Sequence, residues 1–448
     1  MISAEQQHSW FQQLIEQGDP DLPGRNIPWL DQARERARQA VAGLPALDRR
    51  QEAWRYTRLD GLLEHRFQPL VDSAASLQSI DLQPWLLPDL DSHRLVFVNG
   101  RCAPRLSHMQ SLPSGVYAGS LRAALTTDPE LLASWFGHTA NPAEHLFSAL
   151  NSALMNDGLF IHVPPDIELQ QPVEVIWLHT DHDHPASMQS RNLVVLEAGA
   201  RATLIERFIS TGPSLYFDNG VSELMVGEKA SLTHYRIQDE SRNAFHMHSL
   251  HLSQRGDSHY QGSTLAFGGA WARTDYKVRF HQPGADCHLS GLYSAGDRQL
   301  TDFHIDVEHG VPGCSSQTHF KGILHGEGRA VFDGRILVDR QAQQSDAHLT
   351  NHNLMLTRNA EVDTKPQLEI YTDDVKCSHG TTVGQLDPQQ LFYLRSRGID
   401  AEAAKRMLCS GFASDIIDAI GLEPLRRHGT ERLLQTLDTA LIEGHSEP

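Results

Sequence analysis

C-x-x-C spacing is absent from the chain, and its five cysteines, Cys102, Cys287, Cys314, Cys377 and Cys409, stand far apart. This excludes a self-contained ferredoxin-type cluster or zinc ribbon, each of which needs about four grouped donors. The odd number fits a reducing compartment better than a disulfide framework. Basic residues are scarce as well: 38 Lys and Arg stand against 56 Asp and Glu, a formal charge of -18, with no basic run. Binding phosphates requires a basic surface, so nucleic acid is excluded as a partner. No apolar run approaches the roughly 20 residues that span a bilayer, and the opening MISAEQQHSWFQQLIEQGD has neither a basic start nor a long apolar segment. The expectation is a cytoplasmic protein with no membrane partner.

Nucleotide and hydrolase signatures are also missing. There is no G-x-x-x-x-G-K-S/T and not one Gly-Lys dipeptide, so any ATP used must be hydrolysed by a partner. HExxH, GxSxG and a complete dinucleotide fingerprint are lacking, which argues against a stand-alone zinc protease, serine hydrolase or Rossmann enzyme. What remains is a chain of 448 residues, 40% apolar and 21% charged, long enough for two or three domains around a large core.

Residues 1–156 read as a mixed, mostly helical α/β domain. Polar-apolar spacing from Glu5 to Gln17 and a charged, alanine-rich run from Asp31 to Ala42 predict helices, the second ended by Gly43 and Pro45. Pro69 to Pro88, rich in proline and serine, predicts a loop, and RLVFVNG from Arg94 a short strand with an Asn-Gly turn. Asn141, Pro142 and Glu144 predict a capped helix through Leu146, Leu150 and Leu154 that Asp157-Gly158 stops.

From 157 to 385 the period changes to that of strands, with turns at Gly199-Ala200, Lys229-Ala230, Gly256-Asp257, Gly284-Ala285, Arg329-Ala330 and Asn359-Ala360. In FHIDVEHG, Phe303, Ile305 and Val307 share one face; in FDGRILVD, Phe332, Ile336 and Val338 repeat the scheme. Periodicity gives a long all-β domain and leaves a sandwich and a parallel β-helix both open. After Gly384 helical spacing returns, and residues 386–448 predict a helical module, with Asp387-Pro388 as cap and first turn. Leu391, Leu394, Met407, Leu408, Phe412, Ile416 and Ile417 are too many apolar positions for a lone surface helix, so some face the β-domain or a partner.

Leu368 to Leu386, LEIYTDDVKCSHGTTVGQL, is where a thiol, an imidazole and two carboxylates meet. On an extended strand Cys377 and His379 project from one face, giving two of the roughly four donors that a cluster or zinc site needs. Most of the 26 histidines, among them His246, His248, His251, His319 and His325, read as structural, DHDH from Asp181 as a turn, and Cys314 as a loop thiol.

DDVKCSHGTTVGQLD followed by LFYLRSRGI, EAWRYTRLD from Glu52, and DGLFIHVPPDIELQQPVEV from Asp157 together closely resemble the SufB/SufD family of iron–sulfur cluster assembly proteins, over nearly the whole chain. The resemblance implies a right-handed parallel β-helix core and a non-enzymatic scaffold subunit. Its β-domain would pair with a SufB paralogue. Its helical tail, through Leu391, Leu394, Met407 and Phe412, would dock the SufC ATPase, so ATP enters only through that partner. A transient iron–sulfur cluster would be shared with the partner chain. His379 is the foremost donor to cluster or iron, because a neutral imidazole ligates more labilely than a thiolate. Cys377 would be a second ligand or a sulfur relay, with the principal acceptor cysteine on the partner. A homodimer in the paralogue's absence, and reduced flavin on the complex, stay open under this reading. The alternative is a β-helix polysaccharide-active enzyme using paired carboxylates such as Asp373 and Asp374.

Overall fold

The computed structural model describes residues 3–70 and 80–443. Consecutive strands from Arg191 onward alternate between two sheets. One sheet runs back from Glu361–Ile370 through Arg329–Val338, Leu300–His309, Trp271–Phe280, Ala244–Gln254 and Tyr216–Val226; the other from Val375–Gly384 through Ser345–Met355, Ser315–Leu324, Asp286–Ala295, His259–Ala266, Ser231–Asp239 and Arg201–Ser210. Every pairing between these strands is parallel. A sandwich would pair antiparallel neighbours, so the chain is a parallel β-solenoid. One coil advances 27 to 31 residues, from Arg201 to Ser231, His259, Asp286, Ser315 and Asp346.

The punctuation seen in the sequence has a physical basis. Gly199, Lys229, Asp257, Gly284, Gly313 and Gln344 stand at one corner of successive coils with φ between +54° and +81°. Each precedes a small buried residue, Ala200, Ala230, Ser258, Ala285, Cys314 or Ser345. The left-handed turn reverses the chain and the small side chain lets the next coil stack, as when Ser231 N donates to Ala200 O and His259 N to Ala230 O, both at 2.9 Å. Cys314 is therefore a packing member of this column.

Phe303, Ile305, Val307, Phe332, Ile336 and Val338 point inward and are buried. The outer faces are not all wet. On the eleven-stranded sheet, outward Phe217, Phe245, Met247 and Trp271 lie under Ala4–Glu16, Pro28–Gly43 and Leu146–Leu154. On the ten-stranded sheet, Ile205, Tyr235, Ile237, Leu265 and Leu292 lie under the tail helices Ala401–Asp418 and Glu423–Glu443. Strands covered on both faces lose the clean apolar-polar alternation.

The N-terminal region also feeds the sheets. His93–Val98 pairs in parallel with Val173–His179 and turns through Asn99 and Gly100, at φ +50° and +79°, into Arg101–Cys102. Asn141 caps a short 3-10 turn, Pro142–Glu144, and the α-helix begins only at Leu146. Gly158 is required where the first coil closes: a Cβ there would fall 1.8 Å from the Arg191 carbonyl oxygen. Of the loop expected at Pro69 to Pro88, residues 71–79 lie outside the described residues.

EAWRYTRLD clasps the outer face of the eleven-stranded sheet. The Arg273 guanidinium lies 3.9 Å from the Trp54 ring centroid and donates to Ala53 O at 2.7 Å, Trp271 Nε1 donates to Arg58 O at 3.1 Å, and the Thr57 hydroxyl donates to Asp302. Its residues hold the helices onto the solenoid.

Candidate functional site

The last coil is unfinished. Among the described residues, Glu361–Ile370 and Val375–Gly384 are the terminal strands of their sheets, each paired on one side only. Two adjacent ten-residue edges thus offer unpaired N–H and C=O groups of the kind that templates pairing with another chain. A Cβ built on Gly380 or Gly384 would meet nothing within 4 Å.

The register fixes which side chains stand there. Ala347 and Leu349 are fully buried inward residues, and they pair with Cys377 and His379. Phe332, Ile336 and Val338 likewise pair with Thr364, Leu368 and Ile370. Parallel in-register coils keep their inward sets aligned, so Cys377 and His379 belong to the inward set of the last coil, with no further coil among the described residues to cover them. Val362, Leu368 and Ile370 on one strand, and Val375, Cys377, His379 and Val383 on the other, form the open end of the hydrophobic core. Ile370 is 39% exposed and Val383 53%.

Cys377 is half-buried and packs on the core, and this burial pushes its thiol up from the ordinary cysteine value. It is held as a thiol at neutral pH, and a metal that binds it must displace the proton. His379 is exposed, and among the described residues nothing hydrogen-bonds its imidazole. The strand is tied down from the other face instead: His348 Nδ1 lies 2.6 Å from Ser378 Oγ, and His352 Nδ1 lies 2.8 Å from Thr382 Oγ1. Backbone register with Ala347 and Leu349 holds Cys377 and His379 in place. Asp373 and Asp374 are exposed on the turn before this strand, where Asp374 O accepts from Gln344 N at 2.6 Å.

The tail divides its apolar residues. Ile416 and Ile417 are buried against the ten-stranded sheet and Phe412 packs there in part, with Lys321 Nζ 4.9 Å from its ring centroid and donating to its carbonyl at 2.8 Å. Met407 is 52% exposed. Leu391 and Leu394 are half-buried on Pro388–Ser396, a helix without one buried residue, whose Phe392 is 74% exposed. Tyr393, Leu394 and Leu408 line a shallow groove with Asp387 and Gln390.

Sequence reasoning missed Val362, Leu368, Ile370 and Val383 as site residues. The signal was the inward alternation of Phe332, Ile336 and Val338 carried one coil further.

Fold and end face together define a β-solenoid flanked by helices, with the coil that carries Cys377 and His379 left open. Residues 178–412 match the SufBD core domain of SUF system FeS cluster assembly, and residues 5–175 match the SufBD protein N-terminal region. The iron-sulfur cluster assembly protein SufD of Escherichia coli K12 is 32% identical over 412 residues, 91% of this chain and 92% of that protein. An iron-sulfur cluster assembly SufBD family protein of Synechocystis is 33% identical over 88% of both chains. SufD of Bacillus subtilis is 26% identical over 63% of this chain and 65% of its own. The chain belongs to the SufBD family of iron–sulfur cluster assembly proteins and is a SufD homologue. Among the described residues no helix is long and apolar enough to cross a membrane.

Proposed function

We propose that this chain is a non-enzymatic scaffold subunit that pairs through its open coil with a SufB-type paralogue and brings His379, with Cys377, to a nascent iron–sulfur cluster at their shared edge. The observation that carries this reading is the uncovered end of the core, where an imidazole and a thiol stand among apolar side chains beside two bare strand edges. A monomer gains nothing from such an end, since edges of this length invite aggregation unless covered. A second solenoid would pair the edges, bury the apolar end and add the donors that complete a cluster site. The cluster is cargo, so two donors from each side suit release better than four from one.

The test of pairing is Ile370→Glu with Val383→Glu, at positions 39% and 53% exposed. Both positions are inward but open, so the isolated chain should keep its circular dichroism and melting temperature. Burying an unpaired carboxylate at the interface costs about 3 kcal/mol, which corresponds to at least roughly 100-fold weaker association. Undiminished co-purification with the paralogue rejects this use of the end face.

The exposed Phe392, Tyr393 and Met407 support the tail as the docking surface for a SufC-type ATPase, the route by which ATP acts on the complex. Removing the whole tail would strip the cover from Ile205, Ile237 and Leu292 and confound the result. Phe392→Asp with Met407→Asp avoids this. The pair should abolish ATPase capture in a pull-down and leave pairing with the paralogue intact; retained capture moves the docking surface elsewhere.

A further inference from the structure

Inside the solenoid, away from the open end, four titratable side chains from successive coils meet at one corner. His179 ends Val173–His179, Glu240 follows Ser231–Asp239, and Asp218 and His246 are register partners on adjacent strands. All four are inward and none is more than 5% exposed. Among the described residues, His179, Asp218 and Glu240 are the only three His, Cys, Asp or Glu whose ligand atoms all lie within 4.8 Å of one another.

The spacings suit a shared ion better than direct pairing. His179 Nε2 lies 3.4 Å from Asp218 Oδ2 and 3.6 Å from Glu240 Oε1. Good hydrogen bonds are shorter, whereas a tetrahedron of ligands at about 2.1 Å has edges of about 3.4 Å. Among the described residues, both Asp218 carboxylate oxygens and both His179 ring nitrogens lack a well-formed hydrogen bond, although they are almost wholly buried. Orphaned groups of this kind are costly unless something satisfies them. Glu240, in contrast, is gripped from behind. Tyr216 Oη donates to its Oε1 and Gln238 Nε2 to its Oε2, both at 2.9 Å, and His246 Nδ1 lies 2.9 Å from Oε2. Such outer contacts orient a ligating carboxylate.

We propose that His179, Asp218 and Glu240 bind one divalent first-row transition cation of the zinc or iron(II) type, with His246 as a positioning residue on Glu240. An imidazole with two carboxylates is a donor set for these ions, and one dication balances the two acids. The site is sealed, so the ion enters during folding and pins the corner where the early coils turn. It is separate from the open coil that carries Cys377 and His379. The competing arrangement is an ion-free one, in which the two imidazoles pair directly with the two acids.

Zinc(II) serves as the probe. The full chain, purified without a metal-affinity step, is unfolded and refolded with zinc(II) or with EDTA, then passed through a chelating buffer. The expected result is one zinc retained per chain and a higher Tm for the zinc-refolded protein. Asp218→Asn should retain less by roughly tenfold or more, and a Cys377→Ser, His379→Ala double variant should retain zinc fully. Absence of retained zinc in the unsubstituted chain, with equal Tm values, overturns the proposal in favour of the ion-free arrangement. Full retention in Asp218→Asn overturns it too. Should Asp218→Asn fail to fold, the two refolded samples of the unsubstituted chain decide alone.

Discussion

His379→Ala is expected to abolish cluster accumulation on the reconstituted complex while leaving the fold and both partner contacts unchanged. The imidazole is exposed and no hydrogen bond holds it among the described residues, so truncation removes no packing and leaves no buried group unpaired. Substitutions of that kind alter stability by about 0.5 kcal/mol or less. The functional loss is large because a shared site has few donors, and a missing one is replaced by water. Visible absorbance together with bound iron and sulfide on the purified complex measures the effect, and gel filtration checks that assembly persists. Full cluster yield would remove His379 from the site. Cys377→Ser should reduce the yield less, because the Cys377 thiol rests on Ala347 and is held protonated by burial, as suits a secondary ligand.

The fold was legible in the sequence wherever one residue decided one conformation. Gly199, Gly284 and the small residues after them marked the corner of each coil, and Phe303, Ile305 and Val307 the inward face, since these depend only on φ and on period two. The placement of Cys377 and His379 on one face followed from the same period. Three features could not be read locally. Alternation cannot say whether neighbouring strands run parallel, so periodicity left solenoid and sandwich both open; the family resemblance implied the solenoid, and the parallel register shows it. Phe217, Phe245 and Met247 belong to strands covered on both faces, and only the docked helices explain why outward positions are apolar. Leu368 and Ile370 look like Ile336 and Val338 in sequence. They differ in that no coil follows them, which the return of helical spacing after Gly384 marks but which no property of Leu368 or Ile370 itself reveals. His179, Asp218 and Glu240 were invisible for the related reason that only coil stacking brings them together.

Glu223→Ala is expected to cost about 3–5 kcal/mol, the range for removing one partner of a buried ion pair, and so a large share of a total stability of about 5–15 kcal/mol. Glu223 is fully buried, and its Oε1 accepts from Arg191 Nη2 at 2.6 Å and from Gly137 N at 2.9 Å. Oε2 accepts from Thr139 N at 2.9 Å, Thr139 Oγ1 at 3.0 Å and Ala140 N at 3.2 Å. Removing the carboxylate strands a buried guanidinium that Asn151, Ser152 and the Phe136 ring hold in place, together with three backbone N–H groups. Burial alone would raise the Glu223 carboxyl, but the Arg191 charge and these hydrogen bonds outweigh it and hold the group below the usual range. A carboxylate depressed in the folded state stabilises above its unfolded value of about 4.3, and that stabilisation is lost as the pH falls through the lower folded value. Denaturant melts at neutral pH should show the full difference between the native chain and Glu223→Ala, and the difference should shrink in acid. Glu223→Gln, which keeps one accepting oxygen, should fall between them. A difference below about 1 kcal/mol at neutral pH would mean that the 137–140 loop and the helix Leu146–Leu154 are anchored elsewhere. The anchor lies on the sheet that the N-terminal helices cover and away from the open coil, so whatever fraction of Glu223→Ala remains folded should still pair with the paralogue and still accumulate cluster.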